Sequence, residues 1–161
     1  MLLRLYQNHL VKKAKLQLPN LKSDFLMMKK ELINELNKTL VTYHNLQYNL
    51  NTKNQVHFRK LYEQAIDSDT DLGIKVAKLY ELQKILVANK LLTNQNSVVK
   101  DIRKIPLSPA LSEDLVNYAY SKGRYLNCIN AINKIALPKD KVPVPEINDN
   151  LNITVERIPK R

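Results

Sequence analysis

Between Phe25 and Leu50 the large apolar residues recur three or four positions apart: Phe25, Met28, Leu32, Leu36, Leu40, Tyr43, Leu46 and Leu50. That spacing is the period of one helix face and predicts a long amphipathic helix of about seven or eight turns. A single stripe of this length must be covered along its run, by partner helices or within a helical hairpin. Upstream, residues 2–17 predict a first helix that stops near Pro19, because proline removes a backbone donor and clashes with the preceding turn. Ser23 then reads as the cap of the long helix, with Asp24 at its positive end.

Downstream, Asn49, Asn51, Thr52 and Asn54 form a polar break. Val56, Phe58, Leu61, Tyr62, Ala65 and Ile66 predict a shorter helix, and Asp67, Asp69, Thr70 and Asp71 a turn and cap. The next helix runs over about residues 72–92, with Val76, Leu79 and Leu86 inward. Residues 93–97 are a polar connection, and 98–105 suit a short helix or a strand equally. Ser108 as cap and Pro109 in the first helical position start another helix, with Ser112 as a competing start. It runs to about Ser121, near Gly123, and a last helix carries Tyr125, Ile129, Ile132 and Ala136, ending before Pro138.

The end of the chain differs in kind. Pro138, Pro143, Pro145 and Pro159 exclude regular helix, and Val142-Pro143-Val144-Pro145 is held extended. Leu151, Ile153 and Val155 alternate with polar residues, which is strand periodicity. A lone strand needs a partner, so this segment is expected to dock on a neighbour by strand addition or to drape over the surface. The expected fold class is therefore all-α: an elongated bundle or long antiparallel helical hairpin, a small C-terminal helical hairpin and an extended proline-containing tail. The corresponding divisions are 1–105, 106–137 and 138–161.

Composition narrows the function more than it narrows the fold. The chain has 161 residues, a single domain's worth, and hydrophobics at 44% and charged residues at 25% exclude disorder throughout. It holds two glycines, Gly73 and Gly123. Phosphate loops, nucleophile elbows and dinucleotide fingerprints all need glycine where backbone approaches a ligand or takes positive φ. Such sites are not expected, and neither a cofactor nor a small-molecule substrate is. With one cysteine, Cys128, an intrachain disulfide and a cysteine-based zinc site are excluded. No run of eighteen apolar residues occurs, so no membrane span is expected.

Three groups resemble chemical sites and each has a structural reading. His9, His44 and His57 stand far apart, none in a metal-binding pair. Asp67-Ser68-Asp69-Thr70-Asp71 opens like a calcium loop, but glycine falls one position late and Lys78 stands where a bidentate Glu belongs. Its acids suit the positive end of a helix instead. Cys128 lies on an amphipathic stretch with no histidine nearby in sequence, and reads as a small buried hydrophobe.

What remains is charge. Lys and Arg number 26 against 15 Asp and Glu, a formal net charge of +11. A lysine- and asparagine-rich composition accounts for part of this excess, and most lysines solvate outer faces. The rest favours a polyanionic partner. The clusters expected to meet RNA phosphates are Lys12, Lys13 and Lys15 in the first helix, Lys100, Arg103 and Lys104 before the Pro106 punctuation, and Arg157, Lys160 and Arg161 at the end. Residues 1–23 carry Arg4, Lys12, Lys13, Lys15 and Lys22 and no acid. That is either the basic first helix of a domain or a mitochondrial targeting helix.

Leu3-Arg4-Leu5-Tyr6-Gln7, with Leu10, resembles the opening of the LYR-motif family, with Gln7 in place of that family's arginine. The resemblance implies a small helical mitochondrial protein associated with respiratory complexes, their assembly or the mitochondrial ribosome. Leu115 through Lys134, with Tyr118, Gly123, Arg124, Leu126 and Ile132, is faintly similar to one pentatricopeptide-type hairpin, and Leu115-Val116-Asn117-Tyr118-Ala119 to a helix of a Mediator subunit. The leading expectation is a non-catalytic structural subunit, a mitochondrial ribosomal protein bridging protein neighbours and rRNA phosphates. The alternatives are an accessory or assembly subunit of a mitochondrial respiratory complex or ATP synthase, and a helical adaptor of a nuclear transcription complex; the expected location is mitochondrial, in the matrix or associated with the inner membrane, with nuclear or cytoplasmic as the alternative.

Overall fold

The computed structural model describes residues 2–67, 69–92 and 107–151. Its regular elements are helical, and the described residues contain no strand. Four helices carry the fold: α1 (Leu2–Leu46), α2 (Thr52–Ile66), α3 (Leu72–Ala88) and α4 (Pro109–Ile135). Single 3-10 turns follow α1 at Gln47–Asn49 and α4 at Pro138–Asp140. The all-α class expected from the apolar periodicity is the class observed. The chain divides into two compact units, residues 1–32 with 113–147, and 33–112 with 148–161.

In the first unit α1 and α4 pack antiparallel. Phe25 of α1 meets Tyr118 and Tyr125 of α4, with ring centroids 5.7 and 6.0 Å apart. The Cys128 thiol lies 3.6 Å from the Ala14 carbonyl, and Arg4 Nη1 donates to the Ile135 carbonyl at 3.1 Å, satisfying one of the open acceptors at the end of α4. Val11, Leu21, Phe25 and Leu32 bury the α1 side of this seam, and Tyr118, Ile129 and Ile132 the α4 side. Fully burying an aliphatic or aromatic side chain contributes roughly 1.5–3 kcal/mol.

Two expected breaks are absent. Proline was expected to end the first helix, yet α1 continues through Pro19 for 45 residues, and Ser23 is interior to it rather than a cap. Proline in a helix interior costs about 3 kcal/mol. The apolar positions on both sides of it, Val11 before and Leu21 and Phe25 after, fall on one continuous stripe buried in the same unit. Packing along that stripe offsets the local penalty. Likewise α4 runs unbroken through Gly123, where two helices had been expected. Glycine weakens a helix but does not end it unless the chain takes positive φ there, and no described glycine has positive φ.

The second unit holds the end of α1 with α2 and α3. Leu36, Leu40 and Tyr43 of α1, then Gln47 and Leu50 in and just after the 3-10 turn, are its first buried line. Phe58, Leu61, Tyr62, Ala65 and Ile66 face inward from α2, and Leu79, Leu82 and Leu86 from α3. Asp71 caps α3 as expected, its Oδ1 accepting from Ile74 N, and Asn51 of the polar break caps α2, its Oδ1 accepting from Asn54 N, both at 2.9 Å. Helix α3 ends at Ala88, short of the expected 92, and Lys90 takes a φ of 62° just beyond it. Ser108 Oγ accepts from Leu111 N at 3.3 Å, so the Ser108–Pro109 start is the one used.

The tail begins in the first unit. Asn133 Nδ2 donates to the Val142 carbonyl at 2.8 Å, and Val142 N donates back to Asn133 Oδ1 at 2.7 Å. Leu151, in the second unit, is buried. Residues 98–105, and Ile153 and Val155 of the expected strand pattern, lie outside the described residues.

Candidate functional site

One surface groove of the first unit, of about 270 Å3, is lined by Leu21, Asp24 and Met28 of α1 and Asn117, Tyr120, Ser121 and Arg124 of α4. Helical spacing places its α4 side: positions 117, 120, 121 and 124 share one face. Leu21 is buried in the floor, while Tyr120 stands 67% exposed. The Arg124 guanidinium lies over the Tyr120 ring, 5.7 Å from its centroid. This is the usual attraction of a cation for the negative ring face. Asp24 and Arg124 line the groove without an ion pair between them. The arrangement offers a flat aromatic–cation platform beside one carboxylate and one carboxamide.

A second depression, of about 340 Å3, is lined by Asn8, Val11, Lys12, Lys15 and Leu16 of α1 with Ala136 and Asp140. Of the basic residues expected to meet phosphate, Lys12 and Lys13 are exposed and Lys15 is half-buried here. The structure therefore brings Lys12 and Lys15 to the edge of one depression with Asp140 beside them. Lys100, Arg103, Lys104, Arg157, Lys160 and Arg161 lie outside the described residues.

The second unit has a polar cluster with no counterpart in the apolar pattern. Gln47 is fully buried, occupying the stripe position that sequence spacing gave to Leu46, which is half-buried. Its Oε1 accepts from Arg59 Nε at 3.3 Å. Tyr43 donates its hydroxyl to Gln83 Oε1 at 3.0 Å, and burial pushes its pKa up to about 12. Burial, then the nearby Glu63 charge, does the same for Tyr62, also to about 12. His44 packs between Tyr48 and Tyr62, and burial followed by the Arg59 charge lowers its pKa. No motif announces these residues. The available signal was amphipathic register: 36, 40, 43, 47 and 50 fit the helix period better than a list of leucines does.

The acidic loop 67–71 contains its own cation. Lys75 is buried, and its ammonium donates to the Asp67 carbonyl and, at 2.6 Å, to Thr70 Oγ1. Burial lowers its pKa while Asp67, Asp71 and Asp69 oppose the shift. Asp67 Oδ1 accepts from Asp69 N at 2.9 Å and Asp71 caps α3. The acids thus close a helical turn around a lysine. Among the described residues no three His, Cys, Asp or Glu side chains gather as a metal-binding group. Cys128 is half-buried against α1, and burial raises its pKa, which keeps the thiol protonated. No helix among the described residues is long and apolar enough to cross a membrane.

The chain matches no protein-family model, no curated protein and no solved structure.

Proposed function

We propose that this chain is a non-catalytic structural subunit of a large ribonucleoprotein, foremost the mitochondrial ribosome, held among protein neighbours by its helices and meeting rRNA through its basic surface. The observation that carries the reading is the Tyr120–Arg124 pair: an exposed ring with a guanidinium over it, on a helix of a chain with net charge +11. Unstacked bases settle on aromatic and guanidinium planes, and neighbouring cations neutralise phosphates.

Large apolar side chains on the same two helices supply surface for protein neighbours. Leu26 and Met27 of α1 and Val116 of α4 are about half exposed or more. Scattered exposed apolar residues are ordinary on a monomer, and become informative where they flank a basic platform.

The test is fluorescence anisotropy with labelled single-stranded RNA across a salt series. Binding should fall steeply from low to moderate salt. Replacing Tyr120 with Ala should weaken binding about tenfold, in line with the usual worth of one base–aromatic stack. Binding that ignores salt, or RNA affinity unchanged in both Tyr120→Ala and Arg124→Ala, removes the support for this reading.

A further inference from the structure

The first turns of α1 present a second kind of surface. Positions 2, 5, 6, 9, 13 and 16 recur at helical spacing and hold Leu2, Leu5, Tyr6, His9, Lys13 and Leu16. Leu2 is 85% exposed, Leu5 66%, Tyr6 60% and Leu16 73%. The opposite side of the helix is the packed one: Val11 is buried, Gln7, Ala14, Lys15 and Leu18 are half-buried, and Arg4 is tied to the Ile135 carbonyl. Turning the leucines inward would therefore unseat α1 from α4. Leu3 and Leu10 widen the stripe at one edge, and Lys12 borders the other.

Charge and stripe chemistry together select the occupant. Residues 1–23 hold five cations and no acid, and among the described residues neither Lys12 nor Lys13 has an ion-pair partner. Asp140 offsets part of the charge only in the depression it shares with Lys12 and Lys15. Lys13 falls within the apolar stripe. In a dry seam against a second copy of this stripe, whose residues 1–23 hold no acid, it would be a buried, unpaired ammonium, which is strongly unfavourable. At a bilayer surface its stem lies along acyl chains while the charge reaches a headgroup phosphate. Tyr6, with an apolar body and polar tip, suits the same boundary.

We propose that the exposed stripe of Leu2, Leu5, Tyr6 and Leu16, with Lys12 and Lys13, rests on the surface of an anionic lipid bilayer. The helix lies in the interface rather than crossing it. The contact combines burial of apolar side chains with attraction to lipid phosphate, and it goes beyond the RNA contact proposed for α4.

The experiment is flotation of the full chain with phosphatidylcholine vesicles, with and without added phosphatidylglycerol. The protein should float with the anionic vesicles, stay largely free with the neutral ones, and be released by salt. A Leu5→Asn, Tyr6→Asn double variant should lose about tenfold or more in partitioning, with an unchanged helical spectrum and melting midpoint, because both side chains are exposed. A Lys12→Gln, Lys13→Gln variant should reduce the preference for anionic vesicles. Failure of the native chain to float with anionic vesicles overturns the proposal. So does flotation that the Leu5→Asn, Tyr6→Asn change leaves intact, since that is adsorption by net charge alone. Self-association of the native chain that this variant abolishes, without vesicle binding, assigns the stripe to a protein seam and overturns it equally.

Discussion

Asn133 holds the backbone of Val142 from both sides, its carboxamide donating to the carbonyl and accepting from the amide. One side chain thereby does what a paired strand would do, and fixes the first turn after α4 against that helix. The Asn133→Ala variant should lose both bonds at a cost of roughly 1–3 kcal/mol. Trypsin should then cut after Lys139 and Lys141 faster than in the native chain, read as the rate at which the intact band disappears. Equal rates would mean that Val142 is held by something else.

Helices α1 and α4 each carry a residue that opposes the helix. Beyond its chain neighbours and its own helix backbone, nothing lies within 4 Å of where a Cβ would stand on Gly123, so Gly123→Ala should stabilise by about 0.5–1 kcal/mol. Pro19→Ala should stabilise by up to about 3 kcal/mol, by restoring the missing donor and removing the clash. Thermal melts of both variants check this, and a fall in either midpoint contradicts the continuous helices described.

Lys75 is the cation of the acidic loop. The Lys75→Met variant keeps the stem but removes the donor shared by the Asp67 carbonyl and Thr70 Oγ1, leaving the acids Asp67, Asp69 and Asp71 uncompensated. A loss of roughly 1–3 kcal/mol in urea unfolding is expected. Added calcium should not restore it, because the ammonium is held by one carbonyl and one hydroxyl rather than by a cage of carboxylates.

His44 makes stability depend on pH. Its folded pKa lies below the ordinary 6.5 because burial, and secondly Arg59, disfavour the imidazolium. The unfolded chain therefore binds a proton that the folded chain resists. The stabilisation from the neutral ring is complete above about pH 6.5 and is lost as pH falls from there toward the folded value. In His44→Phe, which keeps a ring between Tyr48 and Tyr62, the drop in melting midpoint between neutral and mildly acidic pH should shrink. An identical drop in both proteins assigns it to other groups.

Periodicity and capping residues made the long helix, the α2–α3 pair and the caps at Asp71 and Ser108 legible, since each rests on local spacing or a single side-chain bond. What it hid was tertiary. Pro19 and Gly123 read as breaks because their local costs are visible in sequence, whereas the α1–α4 packing that outweighs them joins residues far apart in the chain. Gln47 was obscured because a polar residue on an apolar stripe is recognised only once Arg59 is seen beside it. The platform at Tyr120 and Arg124 was hidden in the same way: i, i+4 spacing permits the pair, but the groove around it needs Leu21, Asp24 and Met28 from the other helix.

Sedimentation of the tagged chain from mitochondrial extracts, with and without nuclease, decides whether it is a structural subunit of a ribonucleoprotein. The chain should migrate with ribosomal particles and shift to light fractions once their RNA is digested. Migration with a membrane complex that nuclease leaves unchanged would contradict it.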